Sequence, residues 1–397
     1  MSSGDENRTS VGRIFLIALK LGCVSFGGPV AHLGFFQEEY VRRRRWLSEA
    51  EYADLVALCQ FLPGPASSQL GFAIGLKEGG VVGAFAAWLG FTLPSAVLML
   101  GFAMGLGHLG EVEHAGWIVG LKLAAVAVVA QAIWGMAARL CPDRPRALIA
   151  LAGAALLVVL ADPVWQVAVI VLGAATGWLL FRRQAESPEK GVAEEPRRRA
   201  WPWLLLFVLL LFGLPLSAAV APHAWLEVAA GFYRAGALVF GGGHVMLPLL
   251  DAFTVGQGWA DRDTFLAGYG AAQALPGPLF AFTAFLGAKI TVGPGGAAGG
   301  LLALLAAYLP SWLLILGAIP YWDRLRRLRA AQAALMGANA AVVGLLLAAF
   351  FDPVWSAAVT SPARLGFALL AFGALRFAVV PPWALVLACG GAGALFF

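Results

Sequence analysis

From Val11 to Phe397 the chain is a succession of apolar stretches, near 11–36, 52–75, 79–106, 115–139, 146–161, 163–181, 201–217, 225–250, 265–289, 296–319, 330–351, 364–380 and 381–397. Many approach the roughly 20 residues a helix needs to cross a bilayer. Such a pattern leaves little from which to build a wet surface: 60% of the 397 residues are hydrophobic and 12% charged, against roughly 25% charged in ordinary globular domains. Mean hydropathy is +0.81. The fold class read from this is all-α, a polytopic membrane protein, and a soluble enzyme, a disordered chain and a collagen are excluded.

The net charge of +5 does not point to nucleic acid, because Lys and Arg lie between apolar runs rather than along one soluble face. Basic loops beside apolar helices set orientation in a membrane. Cys23, Cys59, Cys141 and Cys389 are scattered singly, so neither a disulfide framework nor a metal site follows. The first ten residues are polar and no small-residue cleavage signal follows the run from Val11, so no cleavable signal peptide is expected.

The sequence repeats itself. Phe26-Gly27-Gly28-Pro29 recurs 214 residues later as Phe240-Gly241-Gly242-Gly243, and Leu62-Pro63-Gly64-Pro65 recurs 213 later as Leu275-Pro276-Gly277-Pro278. Leu93-Pro94-Ser95 recurs 216 later as Leu309-Pro310-Ser311. Three motifs in one order at nearly constant offset mark an internal duplication. The matching Asp-Pro-Val-Trp stretches at Asp162 and Asp352 are 190 apart and fall outside this register. The domains expected are a first repeat at 1–181, a charged cytoplasmic linker at 182–200, an extra transmembrane helix at 201–217 and a second repeat at 218–397.

Basic content is opposite in equivalent loops. Arg42, Arg43, Arg44 and Arg45 follow the first glycine motif, whereas 251–264 has only Arg262. The loop 107–114 has no Lys or Arg, while its counterpart carries Arg324, Arg326, Arg327 and Arg329. The two repeats are therefore expected to be inverted. Placing all arginine clusters in the cytoplasm then makes 52–75 enter and leave on one side, a re-entrant or broken helix turning at its Leu-Pro-Gly-Pro.

That turn is where chemistry is expected. Proline donates no amide and Pro-Gly-Pro cannot continue a helix. Such a break is tolerated at membrane depth only when buried in protein or lining a wet cavity. Broken helices in corresponding positions of two repeats point to a carrier's binding site. The candidate residues are Pro63, Gly64 and Pro65, with Ser67 and Ser68 in the first turn beyond, and Pro276, Gly277 and Pro278 in the second copy. Free amides at such helix starts favour an anion. Gln60 and Gln273 stand at matching places ahead of the two turns and are donors. Gly27, Gly28, Gly241 and Gly242 would let backbone approach a ligand, or simply let helices pack closely.

Lys20 and Arg234 each lie six residues before a glycine motif. An intramembrane charge costs about 2.5–3.5 kcal/mol on insertion scales, so it usually serves a pathway or a partner. Both are read as facing a common centre, the competing reading being that they snorkel to an interface. His244, Lys122 and its counterpart Asn339 are secondary candidates, His244 as a proton carrier, with His32 below them. Glu38 and Glu39 are read as ion-pair partners of the arginines. No Walker, HExxH, GxSxG or CxxC pattern occurs, so neither a cofactor nor a metal nor catalysis is expected.

The stretches FGGPVAHLGFFQEEYV, LCQFLPGPASSQLGFAIG, FGGGHVMLPLL and QALPGPLFAFTAFLGA resemble the paired signatures of the chromate ion transporter family in its long two-domain form. The resemblance implies a multi-pass carrier in a bacterial inner membrane that exports chromate, confers chromate resistance and draws on the proton-motive force. Its partners would be the chromate oxyanion and lipid, and a homodimer is compatible with it. Alternatives are a carrier for sulfate or another oxyanion, and a passive anion channel. Gly243 stands where the first half has Pro29, so the halves need not contribute equally. Alternating access is expected by one repeat rocking against the other.

Overall fold

The structure, a computed structural model, describes residues 9–108, 115–160, 163–183, 200–240 and 242–397. The expected linker at 182–200 therefore lies almost wholly outside the described residues, as do Gly241, Asp162 and most of the 107–114 loop. The first repeat contains α1 (Val11–Val24), α2 (Gly28–Phe36), α3 (Glu49–Phe61), α4 (Ala66–His108), α5 (Gly116–Leu140), α6 (Arg144–Val159) and α7 (Pro163–Phe181). Next come α8 (Trp201–Val220), α9 (Ala224–Ala237), α10 (Met246–Thr254), α11 (Arg262–Ala272) and α12 (Phe282–Lys289). The chain closes with α13 (Gly296–Ala318), α14 (Trp322–Leu325), α15 (Arg329–Ala349), the one-turn α16 (Ser356–Ala358), α17 (Pro362–Arg376) and α18 (Pro382–Phe396). The protein is an all-α, multi-pass membrane protein of two inverted repeats.

Among the described residues, six helical stretches are long and apolar enough to cross a membrane: Ala66–Leu106, Gly116–Leu140, Val164–Phe181, Trp201–Val220, Gly296–Leu325 and Arg329–Ala358. The runs 11–36 and 225–250, read above as unbroken, are each split at their glycine motif. Residues 25–27 separate α1 from α2, and 238–242 precede a single tight turn, Gly243–Val245, that leads into α10. Gly27, at the N-cap of α2, takes φ 98°, a left-handed geometry that favours glycine. α1 and α9 hold 14 residues each, about 21 Å at 1.5 Å per residue, short of the roughly 30 Å hydrocarbon core. With the breaks at 62–65 and 273–278, four interrupted helices result. Both prolines Pro94 and Pro310 lie inside helices that continue past them.

Small residues set which helices touch. Within a repeat, a Cβ on Gly22 of α1 would strike the Phe91 carbonyl of α4, and at equivalent positions one on Gly236 of α9 would strike Ala307 of α13. Between repeats, Gly120 of α5 lies against the Cys389 backbone of α18, and Gly337 of α15 against Gly173 of α7. α5 therefore packs on α18, the last helix of the second half, and its equivalent α15 packs on α7, the last helix of the first. This exchange corrects the rocking expectation: two interleaved halves cannot move as separate rigid bodies. α8 lies outside α9 and α13 with none of its residues buried.

The inversion has a direct structural mark. Arg326 donates to Asp54 at 2.8 Å, and the Trp322 indole donates to the same oxygen at 2.9 Å. Asp54 sits near the start of α3, just after Arg42–Arg45, so these two arginine clusters share one face of the molecule.

Candidate functional site

The four breaks meet. Proline on either side of Gly64 and Gly277 removes amides, and each glycine amide is satisfied by the other repeat: Gly64 donates to the Val239 carbonyl at 2.7 Å and Gly277 to the Ser25 carbonyl at 2.9 Å. These bonds are copies of one another, since 64 and 25 correspond to 277 and 239 in the repeat register. Each Leu-Pro-Gly-Pro turn is thus pinned to the residues just ahead of the partner repeat's glycine motif. Only glycine suits these places. Gly64 has φ 129° and Gly277 φ 88°, and an added Cβ would come within 2.5 Å of Ser311 Oγ and 3.0 Å of Ser95 Oγ respectively. Equivalent positions also face each other: a Cβ on Gly243 would lie 3.8 Å from the Pro29 ring.

α4 starts at Ala66, placing Ser67 and Ser68 in its first turn. Both are buried. His32 bridges the region, with Nε2 3.2 Å from the Ser25 carbonyl and Nδ1 3.2 Å from Ser67 Oγ. A carbonyl only accepts, so Nε2 carries the proton and, in the neutral ring, Nδ1 accepts from Ser67. Ser68 Oγ lies 3.3 Å from the Tyr308 hydroxyl, and Gln69 donates to the Pro63 carbonyl at 2.7 Å. In the second copy the helix begins with a single turn, Leu279–Ala281, after Pro278. Gln60 is exposed on α3 and Gln273 is half-buried, so the symmetric glutamine pair is not assembled at the turns. His244 Nδ1 lies 2.8 Å from the Tyr269 hydroxyl.

The cations do not converge. Lys20 is 3.6 Å from Glu39, which also takes Arg43 at 3.1 Å and Arg44 at 2.8 Å. Burial acts to raise the Glu39 pKa, but the Arg44 hydrogen bond and the charges of Lys20, Arg44 and Arg43 outweigh it and hold the carboxyl below its ordinary value. The equivalent pair in the second repeat is Arg234 and Phe253, with the guanidinium 4.6 Å from the ring centroid. Arg234 lines a cavity of about 410 Å³ with Glu227, Gln257, Trp259 and, from α8, Pro215, and Lys20 does not border it. The two cations keep equivalent positions in separate surroundings, because the inversion points corresponding side chains apart. Lys122 is paired with Asp263 at 3.0 Å, and the buried Asn339 Oδ1 has no hydrogen-bond partner. Among the described residues no three His, Cys, Asp or Glu side chains are placed to hold a metal ion.

Sequence reasoning missed a cluster beside the first turn. Gln69, Trp88, Tyr308, Ser311 and Trp312 gather there with Ser68. Ser311 ends the third repeated motif, Leu-Pro-Ser, and Tyr308 and Trp312 flank it. In sequence that motif marks the duplication and carries no sign of a further role.

The chromate transporter family matches this chain twice, over residues 12–178 and 226–394. A chromate transport protein of Pseudomonas aeruginosa is 28% identical over 97% of this chain and 92% of its own length. A probable chromate transport protein of Synechococcus elongatus is 31% identical over 77% of this chain and 75% of its own. An uncharacterized transporter of Methanocaldococcus jannaschii is 27% identical over 86% and 84%. No solved structure matches.

Proposed function

The chain belongs to the chromate transporter family, and from that premise we propose that it is a secondary carrier exporting chromate across a bacterial inner membrane, conferring chromate resistance and driven by the proton-motive force. The observation that carries this reading is the reciprocal crossing of the two turns, Gly64 on Val239 and Gly277 on Ser25. Paired broken helices around one centre are what a carrier needs to hold a solute between two gates. The start of α4 offers amides and hydroxyls to an anion. Arg234, lining its cavity with no carboxylate within ion-pair distance among the described residues, draws a dianion toward that centre. Lys20, already paired with Glu39, has the lesser part.

The moving bodies are mixed rather than sequence halves. One comprises α1, α3, α4, α9, α12 and α13, the other α5, α6, α7, α15, α17 and α18, each built from both repeats. α10 and α11 touch both bodies, and α2 packs on α4. Sliding of one body past the other would carry the site from one face to the other without separating any exchanged pair. The test is chromate accumulation in cells with and without the protein, with the proton gradient and the voltage collapsed separately. Lower accumulation in expressing cells, lost when the driving gradient collapses, is expected. Equal accumulation in both defeats the export reading.

A further inference from the structure

We propose that the oxyanion is bound in a single site on the first repeat's side of the centre, made of neutral hydrogen-bond donors: Ser68, Trp88, Tyr308, Ser311 and Trp312. This rests on the oxyanion-carrier reading and deepens it. These side chains line one small recess with Gln69 and Phe72. The Trp88 and Trp312 rings meet at a centroid distance of 4.6 Å and 79°, and Tyr308 lies 5.4 Å from Trp88. Every member is at least nine-tenths buried. Three donors there have no hydrogen-bond partner, the indole nitrogens of Trp88 and Trp312 and Ser311 Oγ, while Gln69 turns its donor to the Pro63 carbonyl.

Unpartnered buried donors are costly, roughly 1–3 kcal/mol apiece, and natural proteins keep few of them. Two indole N–H groups can only donate, so what relieves them is a pure acceptor. A tetrahedral dianion such as chromate or sulfate presents four oxygens and no proton. The amides of Ala66, Ser67 and Ser68, in the first turn of α4, have no acceptor within their own helix. No full charge lines the cluster, which suits a carrier that must release what it binds.

The second repeat lacks this chemistry. At the positions equivalent to Ser67, Ser68 and Gln69 it has Phe280, Ala281 and Phe282, all buried, and Phe280 packs 5.4 Å from Tyr308. Thr92 and Ala96 replace Tyr308 and Trp312 on the mirrored side. The symmetric site that duplication suggests is thus reduced to one, the first repeat giving the half-helix and the second closing it with Tyr308, Ser311 and Trp312. As the indoles stand, no water-sized sphere fits between the walls, so binding requires them to part.

The experiment is equilibrium binding of radiolabelled chromate and sulfate to the purified full-length protein in detergent. Trp88→Phe, Trp312→Phe and Ser311→Ala each remove one donor, and each should weaken binding about 10-fold to 100-fold, the weight of a hydrogen bond to a charged acceptor. Phe282→Leu, at the position equivalent to Gln69 and in ring contact with Phe265, Tyr269 and Phe285 rather than with the site, should bind as the unmodified protein does. The two Trp→Phe variants keep an aromatic ring in place and decide the matter if Ser311→Ala elutes aggregated. Unchanged affinity in the folded donor variants, with the parent protein binding normally, overturns the site and leaves the carrier reading standing. A parent protein that binds neither anion overturns both.

Discussion

The amide of Gly64 donates to the carbonyl of Val239 at 2.7 Å, across 175 positions of sequence and from one repeat to the other. Its copy, Gly277 to Ser25, closes the crossing from the opposite side. Backbone that would be orphaned at membrane depth is thereby satisfied by protein, and neither repeat can form its broken helix without the other.

Gly64→Ala should be more damaging than Gly277→Ala. Alanine in a left-handed conformation is strained by roughly 1–3 kcal/mol, and the first site adds the closer contact, Ser311 and Gln69 at 2.5 Å against Ser95 at 3.0 Å. Thermal unfolding in detergent should rank parent, Gly277→Ala, Gly64→Ala in falling order. Equal melting temperatures for all three contradict the packing described.

Lys20 and Arg234 should part company. Lys20 is half-exposed, 52% for its side chain, in a pair with Glu39, and such pairs contribute about 0–1 kcal/mol. Lys20→Ala is expected to keep most chromate tolerance, whereas Arg234→Gln should lose at least tenfold in transport rate with the protein still in the membrane. Vesicle flux normalised to protein amount checks this. Equal loss in both variants would restore the symmetric pair.

Glu39 gathers Lys20, Arg43 and Arg44, and its carboxyl is held below the ordinary value. A depressed folded-state pKa gives stability that is present above the unfolded value and lost as pH falls through the folded one. Melting temperature should therefore decline on acidification below the ordinary carboxylate range, about 4.3 for Glu, and Glu39→Gln should be less stable at neutral pH with a flatter acid limb. An unchanged acid limb in that variant is the contrary result.

Lys122 and Asp263 are 3.0 Å apart, with Lys122 buried. Removing one partner of a buried pair strands a charge and costs about 3–5 kcal/mol. Asp263 is partly exposed, so the lower end or less is expected. Lys122→Met should destabilise, and Lys122→Met with Asp263→Asn should recover a good part of the loss. A double variant as unstable as the sum of its singles would show that the pair is not coupled.

Much of the fold is legible in the sequence because it depends on periodic, local signals. The duplication is carried by motif spacing, the inversion by Arg42–Arg45 against Arg324–Arg329, and the two main turns by Pro-Gly-Pro. What could not be read is tertiary. Exchange of α7 and α18 between repeats depends on Gly120, Gly173 and Gly337 meeting distant backbone, and no spacing encodes which partner a small residue will face. The same holds at the site. Trp88 and Trp312 look like ordinary apolar helix residues in sequence, and only their placement around Ser68 and Ser311 leaves their N–H groups without acceptors. Lys20 and Arg234 are equivalent in the repeat register, but equivalence under inversion does not make two side chains converge.

The most direct test of the account is radiolabelled chromate uptake into everted membrane vesicles carrying the protein, with an imposed proton gradient and sulfate as competitor. The account predicts chromate concentrated inside beyond its electrochemical equilibrium, abolished when the gradient is dissipated and diminished by excess sulfate. Chromate entry no greater than in vesicles lacking the protein, or flux that stops at equilibrium with the gradient intact, would contradict it.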